Sequence, residues 1–209
     1  MRGHGADPRL RTSGNRSRNL DAGDRWRVSV DTGGELDAVD VEAPCWKELA
    51  VTTKSDFSEE EWTRIVRAPF VAGLAITLAD PGGPIEAAKE AMATMKSATS
   101  PPSREQLLTD VALDVQALAQ QHQHPLKGYR PIKGEGAGSQ VLDELRAVKS
   151  IVAARATPEE AAAFGDWLVA SAQAAADAAK EGGFMGFGAE QVSEGERDMI
   201  DQVRQAARD

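Results

Sequence analysis

His122 and His124 stand two residues apart in the stretch His-Gln-His-Pro. Imidazoles at that spacing do not share a helical face. A metal there would need a frayed helix end and a third ligand that the sequence does not show. Both read instead as helix-terminal side chains, where the negative end of the dipole favours a cation. Asp110 and Asp114 lie one helical turn apart and could in principle divide general acid and base work. Their place on the polar side of an amphipathic pattern makes them solvated acids. Lys127, Tyr129, Arg130 and Lys133 form a local basic loop in an acidic chain. Such a loop could meet an anion or an acidic partner, or simply be solvated.

The run from Lys180 to Glu196, KEGGFMGFGAEQVSEGE, holds the least ordinary chemistry. A phosphate loop needs a preceding strand and a Gly-Lys-Ser/Thr ending, and neither is present. A dinucleotide fingerprint needs a third glycine where Gln191 stands. The alternating Asp and Asn oxygens of a calcium loop are missing. Gly182 or Gly183 is expected to end the preceding helix in the left-handed conformation. Phe184, Met185 and Phe187 then fold back onto apolar surface or dock a partner, and they are the candidate partner-binding residues. After Val51 there is no cysteine, no Gly-x-Ser-x-Gly, no Ser-x-x-Lys and no His-Glu-x-x-His. No catalytic residue is assigned, and the protein is expected not to be an enzyme.

Composition sets the frame for these residues. The chain has 209 residues, 41% of them hydrophobic and only 5% aromatic, so a core must be built mostly from aliphatic side chains. A formal charge of −9 argues against nonspecific binding to nucleic acid or anionic membrane. Cys45 is the single cysteine, which excludes an intrachain disulfide and a cysteine-cluster metal site. No N-terminal apolar run reads as a signal peptide. The most apolar stretch, Ala68 to Ala79, is short for a bilayer span and contains Pro69 and Gly73. A cytoplasmic setting is the resulting expectation.

The first 54 residues read differently from the rest. Met1 to Ser29 hold seven arginines against three aspartates with no apolar period, and Asp31 to Glu48 carry six acids against Lys47. So little apolar surface cannot offset ordering entropy, and a disordered segment over 1–54 is expected. It could also be non-native. Trp46-Lys47-Glu48 can be encoded with the ribosome-binding sequence AAGGAG, at a normal distance from a GTG start codon for Val51. On that reading translation begins at Val51.

From Phe57 on, helix punctuation recurs. Ser58-Glu59-Glu60-Glu61 reads as a capping box between Phe57 and Trp62, opening a helix from about Glu59 to Leu78 that bends near Pro69. Asp80-Pro81-Gly82-Gly83-Pro84 ends it, and Pro84 suits the next first turn. There Ile85, Ala88, Met92 and Met95 share one apolar face. Ser103 to Gln106, Thr157 to Glu160 and Ser193 to Glu196 read as three further boxes. Leu107, Leu108, Val111, Val115 and Leu118 line a third helix, and Val141, Leu145, Val148 and Val152 a fourth opening at Ser139. Phe164, Trp167 and Leu168 belong to a fifth ending near Lys180, and Met199, Ile200 and Val203 to the last. With no alternating strand pattern, the expected fold is all-α, a bundle of about six helices over 55–209.

The turn before Val192-Ser193-Glu194-Gly195-Glu196 and the helix after it resemble small bacterial all-helical proteins. More distantly they are similar to tellurite-resistance TerB-like helical domains. That resemblance implies divalent-metal binding by turn acids: Asp80 in Leu-Ala-Asp-Pro-Gly-Gly-Pro, Glu181 in Lys-Glu-Gly-Gly, and Glu196. It implies a stress-response role as the alternative to a protein-interaction or accessory role, in which the partner is another protein or a second copy.

Overall fold

The computed structural model describes residues 51–132, 136–180 and 192–208. The chain divides into two units, Met1–Leu49 and Ala50–Asp209, and the described residues all belong to the second. They form six helices: α1 Glu59–Ala79, α2 Pro84–Ala98, α3 Gln106–Gln120, α4 Ala137–Ala153, α5 Pro158–Lys180 and α6 Glu194–Arg208. A short 3-10 turn, Lys54–Asp56, precedes them. No strand occurs among the described residues, so the all-α expectation holds.

Three of the four expected capping boxes set helix starts. Ser58 Oγ accepts the Glu61 amide at 3.2 Å, and the Glu61 carboxylate accepts the Ser58 amide at 2.9 Å. Thr157 with Glu160 and Ser193 with Glu196 repeat the reciprocal pair. The fourth does not form. Ser103 Oγ takes the amide of Glu105 instead, at 3.3 Å, and α3 starts at Gln106 with Glu105 as its N-cap. Pro69 lies inside α1, which continues through it to Ala79.

α1 and α5 are the hub, since each touches all the other helices. The core gathers Ile65, Val71 and Ile76 of α1, Leu107 and Leu108 of α3, Leu145 of α4, and Phe164, Trp167 and Leu168 of α5. Each of these large side chains is withdrawn from water, worth about 1.5–3 kcal/mol apiece before entropy is counted. α1 as a whole is long and apolar enough to cross a membrane, a wider apolar window than Ala68 to Ala79, but 61% of that window is buried inside the bundle.

The folded unit begins earlier than position 55. Thr52 donates its hydroxyl to Glu160 Oε2 at 2.6 Å and its amide to Oε1 at 3.3 Å. The same carboxylate accepts the Thr157 amide and so caps α5. Residues 51–54 are therefore part of the packed unit rather than of the N-terminal segment.

Glycine matters at two crossings. A Cβ on Gly73 would come within 2.8 Å of Thr94 Cγ2 and closer still to Oγ1, so α1 and α2 meet there with no room for a side chain. A Cβ on Gly165 would stand 2.7 Å from the backbone carbonyl oxygen of Ala207, where α6 crosses α5.

Candidate functional site

α2 packs on α1 and α5 at the edge of the bundle. Its inward side is polar. Glu90 is 3% exposed and Thr94 is 3% exposed, while Ile85 and Met92 are each 74% exposed. Ile85, Ala88, Met92 and Met95 do share one face, as their spacing requires. That face turns away from the core, and only Met95 reaches back to it.

The inversion follows from what α2 packs against. At Gly73 the helices approach so closely that only a short side chain fits between them, and Thr94 supplies it while bonding its hydroxyl to the Glu90 carbonyl at 2.8 Å. Thr77 of α1 donates its hydroxyl to the Glu90 carboxylate. Ser97 meets Ser171 of α5 at 2.9 Å, and Trp167 Nε1 donates to the Ser97 carbonyl at 2.9 Å. A polar seam thus takes the place of aliphatic packing, and the aliphatic side chains are left outside.

Beneath this seam the Glu90 carboxyl is pushed above the usual carboxylate range. Burial is the main cause; the Thr77 hydrogen bond opposes it, and the negative charges of Glu196, Glu86 and Asp80 add to it. Two of the three acids proposed as metal ligands, Asp80 and Glu196, therefore lie in the electrostatic neighbourhood of Glu90. Asp80 caps α1, donating its backbone amide to the Ile76 carbonyl. Glu196 is buried and turns a carboxylate oxygen back to the Ser193 amide at 2.8 Å. Glu181 lies outside the described residues, as do Phe184, Met185 and Phe187. Among the described residues no three His, Cys, Asp or Glu side chains group so as to hold a metal ion.

A cleft of about 690 Å³ opens between the start of α1 and the end of α3. Phe57, Trp62, Val66 and Leu118 line it, with Lys127 and His124 also on its wall. Asp114, expected to be an ordinary solvated acid, is instead the polar pin of this cleft. It accepts Trp62 Nε1–H at 2.7 Å and Lys54 Nζ at 2.6 Å. Burial pushes its carboxyl up, but the hydrogen bonds from Lys54 and Trp62 and the Lys54 charge outweigh this and hold it below the usual range. Asp110 is separate, accepting from Gln106 at 2.6 Å. The two carboxylates do not act as a pair.

His122 and His124 are exposed at the end of α3, as expected. His122 has φ +55° and serves as the left-handed residue after the helix. Its amide bonds the Ala119 carbonyl at 3.1 Å and that of Gln123 the Leu118 carbonyl at 2.9 Å, the Schellman arrangement. His124 Nδ1 accepts the Leu126 amide at 3.1 Å. Within the basic loop, Lys127 and Arg130 are exposed, and Lys133 lies outside the described residues. Tyr129 packs on the core with the Arg67 guanidinium 5.2 Å from its ring centre. Arg64 grips Glu144 of α4 through two hydrogen bonds of 3.0 and 2.7 Å.

No family model matches the chain, and neither a curated protein nor a solved structure does. The residues that sequence reasoning missed are Glu90 and Thr94, and Asp114 is pinned by Lys54 and Trp62 where a solvated acid was expected. A glutamate one helical turn before a threonine, on the side of α2 opposite its apolar stripe, carries no local sign of burial; only the glycine at 73 hints at close packing.

Proposed function

We propose that this is a non-enzymatic interaction or accessory protein of the bacterial cytoplasm. It acts through the outward face of α2 together with the Gly/Phe-rich loop that carries Phe184, Met185 and Phe187. The observation that supports this is the inverted α2. A helix that buries Glu90 and Thr94 and presents Ile85 and Met92 to water has its apolar stripe on the side where a partner can reach it. In sequence, the stretch that carries Phe184, Met185 and Phe187 lies between α5 and α6, outside the described residues, and Gly195 of α6 lies near the Ala79 carbonyl at the end of α1. No step of catalysis enters this reading.

The test is co-purification from the native cells with three forms of the chain: wild type, Met92→Asp and Phe187→Ala. The expected result is a stoichiometric partner that Met92→Asp loses, with far-UV circular dichroism unchanged. A partner retained by both variants would remove the α2 face and the loop from the proposal.

The alternative is a TerB-like divalent-metal site at Asp80, Glu181 and Glu196. What supports it is only that Asp80 and Glu196 both lie near enough to Glu90 to act on its charge. The described residues do not complete such a site: no three His, Cys, Asp or Glu side chains group among them, and Glu181 lies outside them. A metal site predicts that added Mg²⁺ or Ca²⁺ raises the melting temperature by mass action and that Asp80→Ala removes the gain. Melting curves insensitive to either ion would sink it.

A further inference from the structure

The outward stripe of α2 has a charged edge. Lys89 stands four residues after Ile85 and three before Met92, and Lys96 four after Met92, so both lysines border the stripe on one side. Lys96 is exposed and Lys89 partly so. Neither enters an ion pair among the described residues. The acid nearest in sequence, Glu86, is occupied, its carboxylate accepting the Gly83 amide at 2.5 Å as the start of α2 requires. Ala88 and Ala91 are exposed beside the projecting Ile85 and Met92. Ile85 and Met92 stand seven residues apart, about two helical turns, with Ala88 and Lys89 on the face between them, a spacing along which another helix can pack. In a chain of net charge −9 this lysine edge is a local exception.

We infer that the α2 face is a docking site for an amphipathic helix with an acidic edge, its apolar row packed on Ile85, Ala88 and Met92 and its carboxylates alongside Lys89 and Lys96. This rests on the reading of α2 as the interaction face and adds the class of partner. Knob-in-groove contact supplies the attraction, and the two lysines select orientation and sign of charge.

The experiment uses the full chain and two synthetic helical peptides with the same leucine row, one flanked by glutamates and one by lysines. Binding is read by fluorescence anisotropy at low salt. The glutamate peptide is expected to bind wild type about tenfold or more tighter than the lysine peptide, since two ion pairs of modest strength reach that ratio. The double variant Lys89→Glu, Lys96→Glu is expected to reverse the preference, and Met92→Asp to abolish binding of both peptides. Lys96 lies in the last turn of α2, where glutamate opposes the helix dipole, so the double variant is expected to melt slightly below wild type and to keep its helicity. Equal affinity for the two peptides, or a preference that the double variant leaves unchanged, overturns the inference while leaving α2 as an apolar docking face. If neither peptide binds but the chain self-associates in a way that Met92→Asp breaks, the occupant is a second copy and the inference fails. If Met92→Asp changes neither binding nor self-association, the reading of α2 as an interaction face falls with it.

Discussion

Replacing Gly165 by alanine sets two known effects against each other. In an exposed helix interior the change stabilises, because alanine is the better helix former by about 1 kcal/mol. At Gly165 the new Cβ would stand 2.7 Å from the Ala207 carbonyl oxygen, an atom of the backbone and not the movable end of a side chain. Relief requires the last turn of α6 to retreat by several tenths of an ångström. That turn cannot slide freely. Val203, Ala206 and Ala207 are packed into the core, and Arg208 is paired with Asp166. Overpacking of this kind costs about 1–3 kcal/mol, which exceeds the propensity gain over most of its range. The expected net is a loss of about 1 kcal/mol, or roughly 2–4 °C in melting temperature for a unit of this size. Urea denaturation followed by circular dichroism measures it directly. Gly138→Ala is the control: its Cβ would meet only the terminal methyl of Met199 at 3.3 Å, and no comparable loss is expected. A rise in the urea midpoint of Gly165→Ala would refute the close-approach argument.

Glu90→Gln keeps an acceptor for Thr77 and removes the buried charge. A carboxyl whose folded pKa is raised contributes its stability fully below the unfolded carboxyl pKa, near 4.3, and loses it as pH rises through the folded value. The variant should therefore match wild type at acidic pH and exceed it at neutral and alkaline pH, seen as a divergence of urea midpoints; parallel curves would contradict the buried-charge account. His122→Gly should stabilise by about 0.5–1 kcal/mol, because glycine adopts positive φ without a Cβ penalty; a destabilised variant in thermal melts would show that the imidazole contributes more than its backbone costs. Asp114→Ala strands the Trp62 indole N–H and should cost about 1–3 kcal/mol, with a shift in tryptophan emission; an unchanged melt would mean that water replaces the carboxylate.

What the sequence made legible was local. Ser58, Thr157 and Ser193 announce helix starts because the cap and its partner lie three residues apart. At Ser103 the same pattern misled, since a serine can also bond the amide two residues on and leave Glu105 extended, with φ −55° and ψ 140°. Periodicity showed that Ile85, Ala88, Met92 and Met95 share a face. It could not show which way the face turns, because that depends on Gly73 meeting Thr94 across two helices. Asp114 was misread for the same reason: its partners Lys54 and Trp62 are 60 and 52 residues away, and no local spacing encodes them.

Glu160 also bears on the order in which the bundle forms. Its hydrogen bonds to Thr52 join positions 108 residues apart, closing α1 to α4 and the first turn of α5 into one loop. Closing so long a loop costs entropy that local helices do not face, so the clasp is expected to fasten only after α1 and α5 have found each other. A bond made after the transition state governs how fast the fold opens, not how fast it forms. Glu160 is on this account a latch on unfolding. Weakening it would shorten the lifetime of the native bundle while leaving its rate of assembly nearly untouched.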